Sequence, residues 1–239
     1  MRDLNGLQTY LDGAHVDDAV LALRPDYRAL LLAVDGIEPR PSDVASEELL
    51  LRAEESAREQ LATVPVDQLP HIAAWREAYK AMGSKPSRTR NSAEALLRRA
   101  EAGLPRVNTL TDVYNAVSLL HHVPIGGEDL DRYAGPPRLI RATGQEPFDT
   151  MTSGETVVEH PDPGEVVWTD QAGVTCRRWN WRQAKRTQLT DHTTAALFIL
   201  DALEPLSDDE LGAAGDELIG HLRRLGRDVR VARRLLGQS

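Results

Sequence analysis

The chain has 239 residues, of which 41% are hydrophobic and 27% charged, and its formal net charge is -9. This composition is typical of a globular protein and argues against a generic nucleic-acid coat protein, which would be basic. The single cysteine, Cys176, excludes an internal disulfide and a multi-cysteine zinc site. Without a signal-peptide pattern or an apolar run long enough to cross a membrane, the chain is expected to be cytoplasmic.

The charge is distributed unevenly along the chain. Residues 1–75 carry 14 acidic side chains and six arginines, whereas residues 76–106 carry eight basic and three acidic side chains. Residues 171–190 hold five basic side chains and no acid, and residues 221–239 hold six arginines and one aspartate. A single basic run is usually a solvated face, but an anion could still find a positive surface on this acidic chain.

The first half of the chain is predicted to be mainly helical. Two strand-like runs, 20–23 and 27–34, flank a turn at Arg24-Pro25-Asp26. Helices are then predicted over four segments: 43–61 with Ser42 as its cap, Pro70 to about Gly83, Asn91 to about Gly103 with Glu94 completing a capping box, and 109–122.

The helix over 109–122 is unusual because it has a polar stripe without lysine or glutamate. At 100° per residue, this stripe lies opposite the apolar side chains, and it consists of Thr111, Asn115, Ser118 and His122. It could be a wet surface face or the lining of a cavity. Adjacent helical histidines point about 100° apart, so His121 and His122 are not expected to share a metal ion.

Strands dominate after Gly126-Gly127. They are predicted at 137–143, 156–160, 165–170 and 174–181, with residues 171–173 turning the last two into a hairpin. Helices are predicted at 191–203, from Ser207 onward, and through the arginine-rich C-terminus. Because strands and helices do not alternate regularly, the fold class is predicted to be α+β.

Residues 176–183, CRRWNWRQ, form the densest unusual segment. As a strand it would place Arg177, Trp179 and Trp181 on one face and Arg178, Asn180 and Arg182 on the other. Arginine beside tryptophan suits phosphate contact with base stacking, although a packed face opposite a charged face explains the same pattern. No phosphate-binding loop, dinucleotide fingerprint, HExxH motif or nucleophile elbow is found.

Residues 106–146 carry a family resemblance. Asn108, then Asp112-Val113-Tyr114-Asn115, Pro124, Asp129-Leu130-Asp131, Gly135 and Gly144-Gln145-Glu146 follow a characteristic order and spacing. They resemble the B3/B4 tRNA-editing domain of the bacterial phenylalanyl-tRNA synthetase beta subunit, and the wider frame over about 10–205 is similar to freestanding relatives of that domain.

The resemblance implies a fold and a function. The fold would be one α+β domain over residues 1–205, with a central, mostly antiparallel sheet flanked by helices, and a C-terminal helical extension over 206–239 packed on it. The function would be hydrolysis, in trans, of the ester that joins a wrong amino acid to tRNA. The partner would be the acceptor end of an aminoacyl-tRNA; no DNA, membrane, metal or organic cofactor is expected.

The resemblance also suggests a substrate site. The substrate-contacting asparagine of the synthetases matches Asn115, but their editing histidine falls on Gly126. A backbone N–H of Gly126 or Gly127 could approach the ester carbonyl, and His122 could hold the water. The catalytic candidates are therefore His122, Gly126 and Gly127. The substrate-binding candidates are Asn108, Thr111, Asp112, Asn115, Ser118, Glu128, Asp129, Glu146 and Asn180.

The tRNA-binding candidates are the cationic and aromatic side chains of two basic segments. They are Lys85, Arg88, Arg90, Arg177, Arg178, Trp179, Arg182, Lys185 and Arg186. The loss of the histidine leaves two other interpretations open: a non-catalytic module that binds tRNA or an amino acid, and a generic α+β domain in which these features are structural.

Overall fold

The structure is a computed structural model and describes residues 2–237. Its helical elements are seven α-helices and two short 3-10 helices among those residues. The α-helices are α1 (Leu4–Asp12), α2 (Asp18–Leu21), α3 (Val44–Leu61), α4 (Pro70–Ala81), α5 (Ser92–Arg99), α6 (Thr109–His121) and α7 (Asp208–Leu222). The 3-10 helices are Val66–Gln68 and Leu130–Arg132.

The strands form three sheets. The strands are β1 (His15–Val16), β2 (Arg28–Asp35), β3 (Ile125–Asp129), β4 (Arg138–Arg141), β5 (Phe148–Thr152), β6 (Glu155–Glu159), β7 (Val166–Thr169), β8 (Val174–Arg177), β9 (Arg182–Gln183), β10 (Ala195–Ala202) and β11 (Arg230–Leu236). Their orders are β11-β2-β10-β3, β1-β4-β7-β8-β9, and the hairpin β5-β6. Only β1 and β4 pair in parallel among these named strands, and the predicted α+β class is confirmed.

The four-stranded sheet lies at the centre of the core. Its two middle strands, β2 and β10, are buried along their whole length. Along β2, Leu30 and Leu32 pack into the cluster that contains α3, α6 and α7, whereas Leu31 and Ala33 pack on the opposite face with α1, α4 and the five-stranded sheet. Because both faces of the sheet are covered, the consecutive side chains that point to opposite faces are all apolar.

The helix boundaries follow the capping signals of the sequence, with one correction. Asn91 and Ser207 cap α5 and α7 as predicted, and Pro70 stands at the start of α4. The predicted cap of α3 is wrong: Asp43, not Ser42, accepts the N–H of Ser46 and forms the capping box. A carboxylate at this position satisfies the free N–H groups of the first turn.

Three other predicted elements are wrong. Residues 18–21 form the short helix α2 instead of a strand, residues 195–202 form strand β10 instead of a helix, and residues 230–236 form strand β11 where the C-terminus was predicted to be helical. β11 pairs with β2 over its whole length. A continuous apolar run that is buried on both faces has no alternation, which is why the 191–203 segment was misread.

The tryptophan-rich segment turns back on itself. The predicted hairpin across residues 171–173 is present, because β7 and β8 pair in antiparallel register. The chain then leaves the strand at Arg178 and Trp179, which have left-handed φ angles of 49° and 58°, and returns as β9. The predicted alternation of faces along 176–183 is therefore wrong, since it requires continuous extended backbone.

Candidate functional site

The glycine pair lies on the outer strand of the central sheet. β3 pairs with β10 on one side, and its other edge faces the segment around residues 183–189. There the Gln183 Nε2 donates a hydrogen bond to the carbonyl oxygen of Gly127, at 3.0 Å. A Cβ built on Gly126 would lie 3.3 Å from the same nitrogen. The amide of Gln183 therefore occupies the space that a side chain at position 126 would enter.

A cavity of about 400 Å³ lies beside this amide, and we call it the edge cavity. Its walls come from the β5–β6 hairpin, from β9 and from the segment that follows β9. They are formed by Thr150, Met151, Trp181, Arg182, Gln183, Ala184, Lys185 and Gln188. The volume falls within the range of small-molecule sites. The wall mixes amide, hydroxyl, aromatic and cationic side chains, which suits a polar, anionic ligand.

Gly127 differs from Gly126 because it faces the core. A Cβ on Gly127 would lie 2.9 Å from the Phe198 ring and 3.0 Å from both Leu189 and Tyr114. Its neighbours are packed side chains, so the absence of a side chain here is required by packing. Of the two glycines, only Gly126 borders the Gln183 amide with tolerable space for a substituent.

His122 does not lie on the predicted polar stripe. α6 ends at His121, and His122 is its C-cap with a left-handed φ of 54°. His122 does not line the edge cavity. Burial also lowers the pKa of its imidazole below the ordinary value.

The backbone of His122 is held by a second histidine. His71 Nδ1 lies 2.9 Å from the carbonyl oxygen of His122, while His71 Nε2 accepts hydrogen bonds from the Trp75 indole and the Leu203 N–H. These partners assign the proton to Nδ1. Burial lowers the pKa of His71 to about 4, so it stays neutral at physiological pH. The role of His71 depends on partners that are distant in the sequence, so no local signal predicts it.

Most of the predicted polar residues of α6 hold the fold. Asn108 caps the helix by accepting the N–H of Thr111, at 2.8 Å, and Ser118 donates to the carbonyl oxygen of Val123. Asp112 is fully buried and accepts the N–H of Val107 together with hydroxyl hydrogen bonds from the start of α3. Asn115 is only half-buried and its side chain has no hydrogen-bond partner among residues 2–237, so it could turn to a ligand.

The predicted acidic residues are also engaged within the protein. Glu128 is 1% exposed, and the Tyr133 hydroxyl donates to its carboxylate. Burial raises the pKa of Glu128 to about 7, in spite of that hydrogen bond. Asp129 accepts from the Thr193 hydroxyl at 2.8 Å, and Glu146 accepts backbone and hydroxyl hydrogen bonds from Thr143. These carboxylates organise the loops around β3 and β4, and they do not line the edge cavity.

Asn180 belongs to a buried polar network. Its side-chain oxygen accepts from the Tyr79 hydroxyl at 3.0 Å, and its Nδ2 donates to Asp201 at 3.1 Å. Asp201 also accepts from the Tyr27 hydroxyl. Burial raises the pKa of Asp201 to about 6, although both hydrogen bonds favour the carboxylate. Trp179 lies in the same region and is fully buried beside Tyr27 and Tyr79.

Several predicted phosphate-binding arginines are paired internally. Arg177 is 7% exposed and contacts Glu165 through two hydrogen bonds of 2.8 Å. Arg186 makes a similar bidentate pair with Asp170, at 2.8 and 2.9 Å. Bidentate pairs of this kind are strong and directional, so these arginines stabilise the loops in place of an external anion.

The remaining basic side chains lie along a surface path that we call the basic track. Lys85 and Arg88 are exposed and line a cavity of about 280 Å³ together with Arg178, which pairs there with Glu165 at 3.3 Å and Asp162 at 3.6 Å. The Arg178 guanidinium stacks 4.6 Å from the ring centroid of Trp181, and Trp181 lines the edge cavity. Exposed Lys185 continues the track on that cavity's wall. The basic track thus leads from the loop after α4 to the edge cavity.

The two other predicted cations lie near this track. Arg90 is exposed and only 3.8 Å from the buried Glu94 carboxylate. Arg182 lines the edge cavity and pairs with Glu159 at 3.6 Å. In residues 2–237 no group of three or more His, Cys, Asp or Glu side chains is arranged to hold a metal ion. No helix of that range is long and apolar enough to span a membrane.

Gln183 is the main residue that sequence reasoning missed. It stands in the quoted segment CRRWNWRQ, but nothing in its type or spacing links it to a glycine 57 positions earlier. The available signal was the glycine pair itself, because consecutive glycines in a strand often mark a close approach by another group. The approaching group could be identified only from the fold.

Comparisons with known proteins give one family match and a distant structural similarity. A model of the B3/4 domain family matches residues 74–212, more than half of the chain. Among solved structures, the chain is similar to an N-terminal fragment of the phenylalanyl-tRNA synthetase beta subunit from Pyrococcus horikoshii, with 12% identity and a TM-score of 0.45. That similarity covers 93% of this chain and 50% of that one, so the chain spans about half of its length. No curated protein matches the sequence.

Proposed function

Because the chain belongs to the B3/4 domain family, we propose that it is a freestanding aminoacyl-tRNA deacylase that hydrolyses mischarged tRNA in trans. The sequence resemblance to the synthetase editing domain supplies the reaction, and tRNA is the proposed partner. A cytoplasmic location would place the protein with that substrate.

One structural observation supports this proposal above the others: the basic track ends at the edge cavity. Lys85, Arg88 and Lys185 would contact phosphates of the acceptor strand. Met151 and Trp181 on the cavity wall offer apolar and aromatic surface for a terminal base. The esterified amino acid would then reach the edge of β3, where Gln183 meets the glycine pair.

The chemistry needs a group that stabilises the oxyanion formed when water attacks the ester carbonyl. The Gln183 Nε2 carries two protons, and one of them is engaged by the carbonyl oxygen of Gly127. We assign the second proton to the oxyanion. The wall of the edge cavity contains no histidine or carboxylate, so the vicinal ribose hydroxyl of the substrate would help to position the water.

The experiment is a deacylation assay with a panel of mischarged tRNAs, comparing the wild type with Gln183→Ala. Removal of an oxyanion donor slows turnover about 100-fold in well-organised sites, and we expect a loss of this order. Gln8→Ala, an exposed glutamine on α1, is the matched control. We expect His122→Ala to remain close to wild type, because His122 does not line the edge cavity.

A second candidate function rests on the same cavity wall. Without a histidine or a carboxylate on that wall, the site could bind an aminoacyl-tRNA end without cleaving it. The panel separates the two. Release of one or a few amino acids by the wild type supports the deacylase, whereas saturable tRNA binding without release supports the binding module. If the wild type neither releases an amino acid nor binds tRNA, both proposed functions are refuted.

A further inference from the structure

A groove of about 590 Å³ lies where three helices meet, away from the edge cavity. It is formed by one face of α3, the first turns of α6 and the end of α7. Its apolar floor is formed by Leu51, Val113 and Leu225. Leu51 is 47% exposed, so part of this floor is open to solvent. The groove shares no lining residue with the edge cavity or with the basic track.

Cationic side chains from separate elements converge on this groove. Arg52 comes from α3, Arg224 follows α7, and His221 from the last turn of α7 lies between them. Burial lowers the pKa of His221, the Glu217 carboxylate at 3.9 Å opposes this in part, and Arg224 and Arg52 lower the pKa further. Arg40 stands at the rim, 3.3 Å from Glu38.

The carboxylates nearby do not neutralise these arginines. Within the described chain, Arg52 and Arg224 have no carboxylate within 4.0 Å. Asp43 also lines the groove, but its carboxylate caps α3 by accepting the Ser46 N–H at 2.9 Å. Glu48 is exposed on the lining and, although it precedes Arg52 by one helical turn, forms no ion pair with it. Arg52 and Arg224 therefore line one groove without an ion pair of their own, and unpaired guanidinium groups attract an anion.

We propose that this groove binds a small phosphate monoester that carries an apolar group. Arg52 and Arg224 would hold the phosphate from opposite helices, since guanidinium groups match phosphate oxygens in charge and geometry. The organic part would lie on Leu51, Val113 and Leu225. The volume is that of a site for a ligand of this size, and more than inorganic phosphate alone would fill. This proposal does not depend on the deacylase function.

The test is a calorimetric titration of the full-length protein with phenyl phosphate, with inorganic phosphate and phenol as separate arms. We expect phenyl phosphate to bind more tightly than either arm. Loss of one charge-assisted contact weakens binding, so Arg52→Gln and Arg224→Gln should each raise Kd about fivefold. Leu51→Ala should weaken phenyl phosphate but leave inorganic phosphate unchanged. Arg223→Gln, an exposed arginine beside Arg224 that does not line the groove, should bind like the wild type.

Three results would overturn the proposal. The first is no saturable binding of phenyl phosphate by the wild type. The second is equal weakening by Arg223→Gln and Arg224→Gln, which would show that only net charge matters. The third is a loss of tRNA affinity in the Arg52→Gln/Arg224→Gln double variant while phenyl phosphate does not bind at all, since this would make the groove an RNA contact. Because the substituted side chains are exposed, thermal melting should confirm that every variant is folded.

Discussion

The two neighbouring glycines of β3 should differ in how much stability the same substitution to alanine costs. In Gly126→Ala the new methyl group meets the end of one flexible side chain, Gln183, at 3.3 Å. The φ angle of Gly126 is not in the left-handed region, so alanine is compatible with the backbone. Replacing glycine by alanine at a compatible site raises the free energy of unfolding by about 0.4–1 kcal/mol. Straining or losing the Gln183 hydrogen bond lowers it by about 1 kcal/mol. The net change should be within about 0.5 kcal/mol.

In Gly127→Ala the methyl group meets three packed side chains at 2.9–3.0 Å. These are Phe198, Leu189 and Tyr114, and the first lies on the neighbouring strand of the sheet. Overpacking of a core typically destabilises a protein by about 1–3 kcal/mol. For a chain of this length, each kcal/mol lowers Tm by about 2–4 °C, so the melting temperature should fall by several degrees.

The assay is urea denaturation followed by circular dichroism, with thermal melting as a second measure. Equal m values for the wild type and both variants are the control, because they show that the denatured states are comparable. If Gly126→Ala proves as destabilising as Gly127→Ala, the assignment of Gly126 to the open edge and Gly127 to the core is wrong. Equal, negligible effects would contradict the close packing around Gly127.

Two further predictions concern the buried carboxylate and the basic track. The pKa of Asp201 is about 6 in the folded protein, against an ordinary 3.8, so the protonated carboxyl favours folding and its contribution to stability falls as pH rises. About 1 kcal/mol should be lost between pH 5 and pH 8. Asp201→Asn should lack that part of the decline in urea titrations at the two pH values, and an unchanged decline would refute the assignment. For the track, Lys85→Gln/Arg88→Gln should lower the slope of log affinity for tRNA against log salt by about 1–2, with Arg223→Gln unchanged. An unaltered slope would remove this loop from the tRNA interface.

The elements that sequence reasoning predicted well are those whose signals are local. The caps Asn91 and Ser207, the first-turn Pro70 and the turn at 171–173 depend on groups within a few residues, and all of them are found. The helix predicted over 195–202 is wrong because this segment is buried on both faces by helices and strands that are distant in the sequence. The helix predicted where β11 forms is wrong for the same reason, since the partner strand β2 is about 200 residues away in the sequence.

For the predicted site residues, too, the outcome depends on partners that the sequence does not reveal. Residue types that suit catalysis also suit capping and loop organisation, and the sequence does not distinguish the two uses. Asn108 and Asp112 were expected to contact substrate, but they are held by the N–H groups of Thr111 and Val107. Their polarity satisfies the free end of α6. Lys85 and Arg88, in the loop after α4, are exposed, and their contact with tRNA stays a prediction.

Gly126 has a different significance in the folded chain than in the sequence. In the sequence it is only the position where a histidine is missing. In the structure it is the position whose lack of a side chain lets the Gln183 amide reach the β3 edge. A histidine at position 126 and Gln183 in its present conformation would compete for the same space. The absent histidine and the approaching glutamine are therefore one structural feature, and a polar hydrogen-bonding group remains beside the edge cavity.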